Sequence, residues 1–361
     1  TAVYNPKHMD TKEEEFDGIS KKLVWCNRSD FPYDEIKRQA RSKMTKCKAC
    51  RECNGIVCAG QTPGSGGKGN GSTFIRNVSK LKEVCVNMNV IASNEEVSTE
   101  SDFFGSKVAL PVYVAPIGNI KANYGADMSE YEYTCALVEG CGKETIVFSG
   151  DGQNLDVLME PLKAAHDGWI VPTIKPWQKD EMKKRIEMIK LSGCSVCCSD
   201  IDAAGLVSLK TGTPAVEFKD TEGLKEIVEA AQMPVIFKGI MTVDAAKKAM
   251  EAGAAGIVVS NHGGRVLQDS LSTIEVLEEI ADAVGDHMKV FVDGGFRSGS
   301  DVFKALALGA DGVLIGRPFS IAAIGNHADG VRTYLHQIQN ELKETMMMCG
   351  CRSISDIKKA C

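Results

Sequence analysis

Residues 290–319 read VFVDGGFRSGSDVFKALALGADGVLIGRPF, and this stretch decides the fold. Val290 to Val292 form an unbroken apolar run, as a strand buried on both faces requires. Gly294 and Gly295 break the run. An apolar pattern of helical period then opens near Ser300, Gly309 closes it, and a second apolar run leads to Gly316. Strand, helix and strand in that order make a parallel unit, because parallel neighbours need a crossover between them.

The same alternation extends back to Val108. Strands are predicted over residues 110–116 and 169–175, and in runs ending at Ser149, Asp202, Lys238, Ser260, Asp293 and Gly316. Helical patterns such as EYEYTCALVEG, KDEMKKRIEMIKLSG and TIEVLEEIADAV lie between them, and a long final helix is expected from Ala328 to Cys349. Eight apolar strands with helical crossovers predict a closed α/β barrel, the (β/α)8 TIM fold, because an open sheet of that size leaves unprotected edges. The rival doubly wound sheet calls for a GxGxxG turn after an early strand, and APIGNIKANYG lacks it. The expected division is a barrel over residues 108–361 and an N-terminal extension over residues 1–107.

The chain has 361 residues and a formal net charge of −6, which gives no support to a nucleic-acid footprint. It has no apolar run of membrane-spanning length, and its first residues lack the apolar core of a secretion signal, so a cytoplasmic address is expected. Fourteen cysteines then read as thiols or metal thiolates rather than disulfides. Cys47, Cys50, Cys53 and Cys58 crowd one stretch with two, two and four residues between them, a set able to ligate a [4Fe–4S] cluster or a zinc ion, or to remain as redox-active thiols. Cys197 with Cys198, and Cys349 with Cys351, lie in other runs. The segment before Cys47 reads as a cap on the larger domain, with a helix entered after Pro32. After Cys58 comes GQTPGSGGKGNGSTF. It has no preceding strand and no lysine followed by Ser or Thr, which argues against a triphosphate loop, and it reads as a close-packed flap over a ligand or, alternatively, a mobile linker.

In a barrel the carboxyl ends of the strands converge on one cavity. Here they carry Ala115, Pro116, Ile117 and Gly118, then Ser149, Lys175, Asp200 with Asp202, Lys238, Ser260 to Arg265, Asp293 to Arg297, and Gly316 with Arg317. Gly294, Gly295 and Arg297 before one helix, and Gly316 and Arg317 before the next, make a phosphate cradle at the last two strands. In GIVVSNHGGR, His262 can exchange a proton near neutral pH and Arg265 can hold a carboxylate through its planar fork. Lys238 can stabilise negative charge on an electron-accepting ring, and flavin mononucleotide (FMN) suits a cavity with these features.

LPVYVAPIG, IFKGI, AAGIVVSNHGGR, the stretch quoted first and the closing ELKETMMMCGCRSISDI resemble the FMN-dependent 2-hydroxy acid oxidases and dehydrogenases, the family that includes lactate and glycolate oxidases. The resemblance implies that a 2-hydroxy acid is oxidised to the 2-oxo acid, with His262 as the base and Asp202 as its partner. It implies that Arg265 holds the substrate carboxylate, Lys238 faces the flavin N1 and O2 region, and Ser260 contacts the ring. Asp293, Gly295, Arg297, Gly316 and Arg317 would then bind the ribityl phosphate. A reductase or isomerase on the same barrel is the alternative; an isomerase calls for a magnesium-binding glutamate arrangement that is not found. The chain departs from the family in four places. It has no clear amino-terminal tyrosine, Lys175 stands near the family's Gln-x-Tyr, Asp200 replaces a threonine, and no arginine follows the fourth strand, where Lys175 or Lys210 would have to compensate. The cysteine cluster is a further addition and points to an electron-transfer protein or quinone as acceptor. Relatives usually assemble as homo-oligomers.

Overall fold

The computed structural model describes residues 32–164 and 169–357. The part of the expected cap before Pro32, and the end of the helix expected through Asp167, lie outside these residues. Ten strands are present among the described residues. Strands β1 (Ser101–Phe103) and β2 (Ser106–Val108) form an antiparallel hairpin. The other eight are β3 (Val112–Ile117), β4 (Val147–Ser149), β5 (Ile170–Ile174), β6 (Cys197–Asp200), β7 (Val235–Ile240), β8 (Gly256–Val259), β9 (Lys289–Asp293) and β10 (Gly312–Ile315). They close into one parallel barrel in chain order, with β10 beside β3. All eight expected strands are present, and helices cover the barrel outside.

Register brings the polar strand ends to one level. Asp200 on β6 pairs with Lys238 on β7, and Asp293 on β9 with Leu314 on β10. The strand expected to run to Asp202 stops at Asp200, because Ile201–Gly205 turns into a 3-10 helix that carries Asp202 beyond the sheet. The helix span Arg317–Met348 breaks at Asn326 and His327, whose dihedrals are not helical. A short helix thus follows β10, and the long one begins where it was expected.

One face of each strand fills the barrel. Phe148, Cys198, Ile236, Val258, Phe291 and Leu314 share an inner cluster apart from the larger core between barrel and helices. Cys198 is therefore a packing residue, and burial pushes its thiol well up from the usual range. The β1–β2 hairpin contributes Phe103 to this cluster, 3% exposed and with ring centroids 5.0, 6.1 and 5.7 Å from Tyr113, Phe148 and Phe291.

The rest of the extension lies against the last strands. Helix Pro32–Lys43 packs on the final helix, where Tyr33 meets Tyr334 at 4.5 Å and donates to the Pro318 carbonyl at 2.9 Å. Helix Ser72–Glu83 lies over the turns after β8 and β9. Asn77 exchanges 2.8 Å amide hydrogen bonds with Asn261, and Thr73 donates to the Leu267 carbonyl. No helix among the described residues is long and apolar enough to cross a membrane.

Phe103→Ala removes a fully packed aromatic from the inner cluster, so a loss of about 3–5 kcal/mol is expected in urea unfolding. A loss below about 1 kcal/mol would show that the hairpin does not close the barrel core.

Candidate active site

The turn after β8 is built for close approach. His262, Gly263 and Gly264 all have positive φ, 57°, 61° and 79°. A Cβ on Gly264 would lie 2.5 Å from the Phe74 backbone nitrogen, so only glycine lets helix Ser72–Glu83 sit there. A left-handed histidine costs conformational energy that functional sites tolerate. It is held by its backbone N–H, which donates to Ser260 Oγ at 3.1 Å, and by its ring, whose Nδ1 lies 2.9 Å from Asp202 Oδ1. That contact assigns the proton on Nδ1 and leaves Nε2 as the basic nitrogen.

Three acid–base pairs ring the mouth. Besides Asp202 and His262, Lys238 Nζ lies 3.3 Å from Asp293 Oδ2 and donates to Ser260 Oγ at 2.9 Å, while Lys175 Nζ lies 2.6 Å from Asp200 Oδ2. Burial lowers the His262 imidazole below its ordinary value; Asp202 opposes this and Lys238 adds to it. The ring is thus neutral near pH 7, as a base must be. Burial alone would lift the Asp202 carboxyl, but His262 and Lys238 hold it below the usual range. Burial also works against the Lys238 ammonium, and Asp293, Asp202 and Asp200 outweigh it and raise its pKa.

Arg265 differs from these. Its Nη2 donates to Asn123 Oδ1 at 2.8 Å, and its buried Nε has no partner among the described residues. Burial, with Arg317 nearby, pulls its pKa down to about 10. A buried cation matched only by a neutral amide calls for an anion.

A cavity open to solvent runs from Arg265 and His262, past Ala115, Pro116, Ile117 and Lys238, to Asp293, Gly294, Gly295, Arg297, Gly316 and Arg317. The structure thus brings most of the expected site residues together. Gly118 turns its carbonyl to the Asn123 amide, and Ser149 sits buried at the end of β4 with its hydroxyl unpartnered among the described residues. Gly295 has a φ of 96°, and a Cβ there would lie 2.5 Å from the Asn77 carbonyl oxygen. The helix expected to open near Ser300 begins at Gly299 with Ser298 as its cap.

Sequence reasoning missed Asn123 and Tyr124, both on the cavity wall from the short helix Ile120–Tyr124. Their signal was the polar KANYG segment directly after the first barrel strand. Burial pushes the Tyr124 hydroxyl up to about 12. Of the two lysines considered as compensating cations, Lys175 is committed to Asp200. Lys210 is exposed and sits 4.5 Å over the Phe218 ring.

The glycine-rich segment is a packed flap. Lys68 N–H donates to the Gly264 carbonyl at 2.8 Å, Arg317 Nε donates to the Ser65 carbonyl at 2.7 Å, and Gly64 and Ser65 line the large cavity. Behind it, Cys47, Cys50, Cys53 and Cys58 all line a second, smaller cavity whose wall includes Ser65 and Arg317. Among the described residues, one set of three or more ligand atoms lies within 4.8 Å of one another, and it is Asp200, Asp202 and His262 rather than the cysteines.

Residues 64–211 and 209–361 match the FMN-dependent dehydrogenase family. The chain is 32% identical over 325 residues to 4-hydroxymandelate oxidase of Amycolatopsis orientalis, covering 82% of this chain and 91% of that protein. It is 30% identical over 326 residues to a peroxisomal (S)-2-hydroxyacid oxidase of Arabidopsis thaliana, covering 82% and 89%. A solved structure of mandelate oxidase with (S)-4-hydroxymandelic acid superposes with a TM-score of 0.75 at 26% identity, over 91% of this chain and 97% of that one.

The Asp202 carboxylate raises the proton affinity of His262, so Asp202→Asn is expected to move the imidazole titration, followed by NMR of its ring nitrogens, to still lower pH. A titration that stays put or rises would mean that the 2.9 Å pair does not set the charge state of His262.

Proposed function

The chain belongs to the FMN-dependent dehydrogenase family, and we propose that it oxidises a 2-hydroxy acid to the 2-oxo acid at the barrel mouth. The observation that carries this is Arg265, a buried cation without an anionic partner, on the same turn as the neutral His262. The large cavity suits FMN on its own terms. Asp293 Oδ1 is buried and unpartnered among the described residues, an acceptor that a ribityl hydroxyl would satisfy. Arg297, Arg317 and the backbone at Gly294, Gly295 and Gly316 would hold the phosphate. Lys238 would face the ring, with Ala115 to Gly118 along it, and Ser149 and Ser260 at its edge.

Bound FMN supplies the two-electron acceptor. The chain's own residues do the rest. Arg265 takes the substrate carboxylate and, with Asn123 fixing its fork, sets the orientation of C2. His262 Nε2 accepts the hydroxyl proton as the C2–H and O–H bonds break and the C2=O bond forms. The imidazolium so created is stabilised by Asp202. Lys238, held by Asp293 and Ser260, keeps a positive charge where negative charge develops.

The cysteine cavity supports a second cofactor, a [4Fe–4S] cluster on Cys47, Cys50, Cys53 and Cys58. The support is that all four cysteines line one cavity, a sulfur-only donor set of the kind that holds an iron–sulfur cluster or, alternatively, a zinc ion. On this reading the extension, residues 1–107, supplies the flap and the cluster, and the barrel, residues 108–361, supplies the chemistry. A one-electron protein or a quinone takes the electrons. Exposed Met88, Val90, Ile91, Met347 and Met348 support self-association.

An anaerobic screen of 2-hydroxy acids for bleaching of bound flavin tests the main reaction. His262→Ala should keep its flavin and lose roughly 10²–10⁴-fold in reduction rate; unchanged reduction removes the base from His262. Protein purified without oxygen should contain iron and acid-labile sulfide in equal amounts, and finding neither rules the cluster out.

A further inference from the structure

The two arginines assigned to the FMN phosphate have donors engaged on the extension as well as on barrel carbonyls at Phe296 and Gly263. Arg297 Nε and Nη2 donate to the Cys53 carbonyl at 3.2 and 3.0 Å, and Nη2 lies 3.5 Å from Cys53 Sγ. Arg317 donates from Nε to the Ser65 carbonyl and from Nη2 to the carbonyls of Gly66 and Gly263, both at 3.2 Å. Arg317 lines both the cofactor cavity and the cysteine cavity, as does Ser65. Phe74 carries the Arg317 guanidinium 3.8 Å above its ring and Arg297 at 5.9 Å. The cysteine cavity and the phosphate cradle therefore share Arg317 and Ser65, and Arg297 joins them through its contacts to Cys53.

The segment that forms this wall has little structure of its own. Between Lys43 and Ser72 there is no helix, and β pairing is confined to isolated bridges. It is anchored at both ends, by Arg41 on the Lys48 and Ala49 carbonyls and by Lys68 on the Gly264 and Val266 carbonyls, while the stretch between depends on the two cradle arginines and on whatever the four cysteines hold. We propose that the cluster is the latch of the flavin flap: loading the cysteine site fixes the Cys53, Ser65 and Gly66 carbonyls, these fix the two guanidinium groups, and FMN then binds a cradle already in place. This rests on the cluster reading above and adds that the two sites are linked in free energy. Two anionic groups facing each other across a wall would repel, but Arg297 and Arg317 stand between them, so preorganisation sets the sign and the linkage is positive. Linkage is reciprocal, so bound FMN in turn slows loss of the cluster.

The test uses the full chain. Its FMN dissociation constant is measured by quenching of free-flavin fluorescence in three states: as purified without oxygen, after iron removal by oxidation and chelation, and after reconstitution with ferrous iron and sulfide. Cys50→Ser, which leaves the Cys53 and Ser65 contacts intact, serves as the unlatched control, with circular dichroism to establish that it is folded. The expected result is a dissociation constant raised at least about tenfold by iron removal, restored by reconstitution, and raised permanently in Cys50→Ser. Iron and sulfide present in the starting protein, with FMN affinity unchanged within about twofold after their removal, overturns the latch and leaves the cluster standing. Absence of iron and sulfide from the starting protein overturns the cluster reading itself, and the latch with it.

Discussion

Two part-buried guanidinium groups tie the N-terminal segment to the barrel mouth. Arg297 follows β9 and Arg317 follows β10, and each points its donors at carbonyls of a segment more than 200 residues earlier in the chain. A buried guanidinium has up to five donors to satisfy, and leaving them unmet is expensive. The barrel meets part of that demand from its own loops, with the Phe296 and Gly263 carbonyls, and leaves the rest open. The extension meets it with Cys53, Ser65 and Gly66, and Phe74 covers the cationic faces. The glycines of the flap and of the β8 and β9 turns follow from this closeness, since a Cβ on Gly264 or Gly295 would run into helix Ser72–Glu83.

Around the rest of the mouth, charge is balanced in pairs on neighbouring strand ends: Lys175 with Asp200, Asp202 with His262, and Asp293 with Lys238. A buried charge that lacks a partner shifts its pKa or demands a ligand. Every cation in this ring except Arg265 has a carboxylate within 4 Å, so the site's unmet demand for an anion falls at one position. The pairing also explains why Lys175 cannot stand in for the absent arginine: its ammonium is already engaged by Asp200.

Much of this was legible in the sequence, and the reasons differ by element. The barrel strands were readable because each is buried on both faces and therefore continuously apolar, and because Gly309 and its equivalents end the helices. The cradle was readable because glycines and arginines sit at fixed offsets from strand ends. The helix Ser72–Glu83 was hidden behind the glycine run that precedes it, and its role depends on Asn77 finding Asn261 across 184 residues. The β1–β2 hairpin is three residues a strand, too short to carry a period. Asn123 and Tyr124 were missed as site residues because KANYG marks a polar segment after the first barrel strand without showing which way a five-residue helix points.

On the proposed function, which puts a phosphate at Arg297 and Arg317 and a substrate carboxylate at Arg265, the cationic ends of the cavity are satisfied by different means that would match those occupants. At the phosphate end the arginines meet neutral carbonyls, which take up hydrogen bonds without cancelling charge, so a positive potential persists for a dianion that stays bound. At the substrate end Arg265 is braced by a single amide and keeps its Nε unpaired, poised for a carboxylate that must arrive and leave in every turnover. A carboxylate partner from the protein would have made Arg265 more comfortable and would have competed with substrate each time. The asymmetry therefore follows from residence time: the resident group is met by a built wall, and the transient one by a cation left deliberately short of partners.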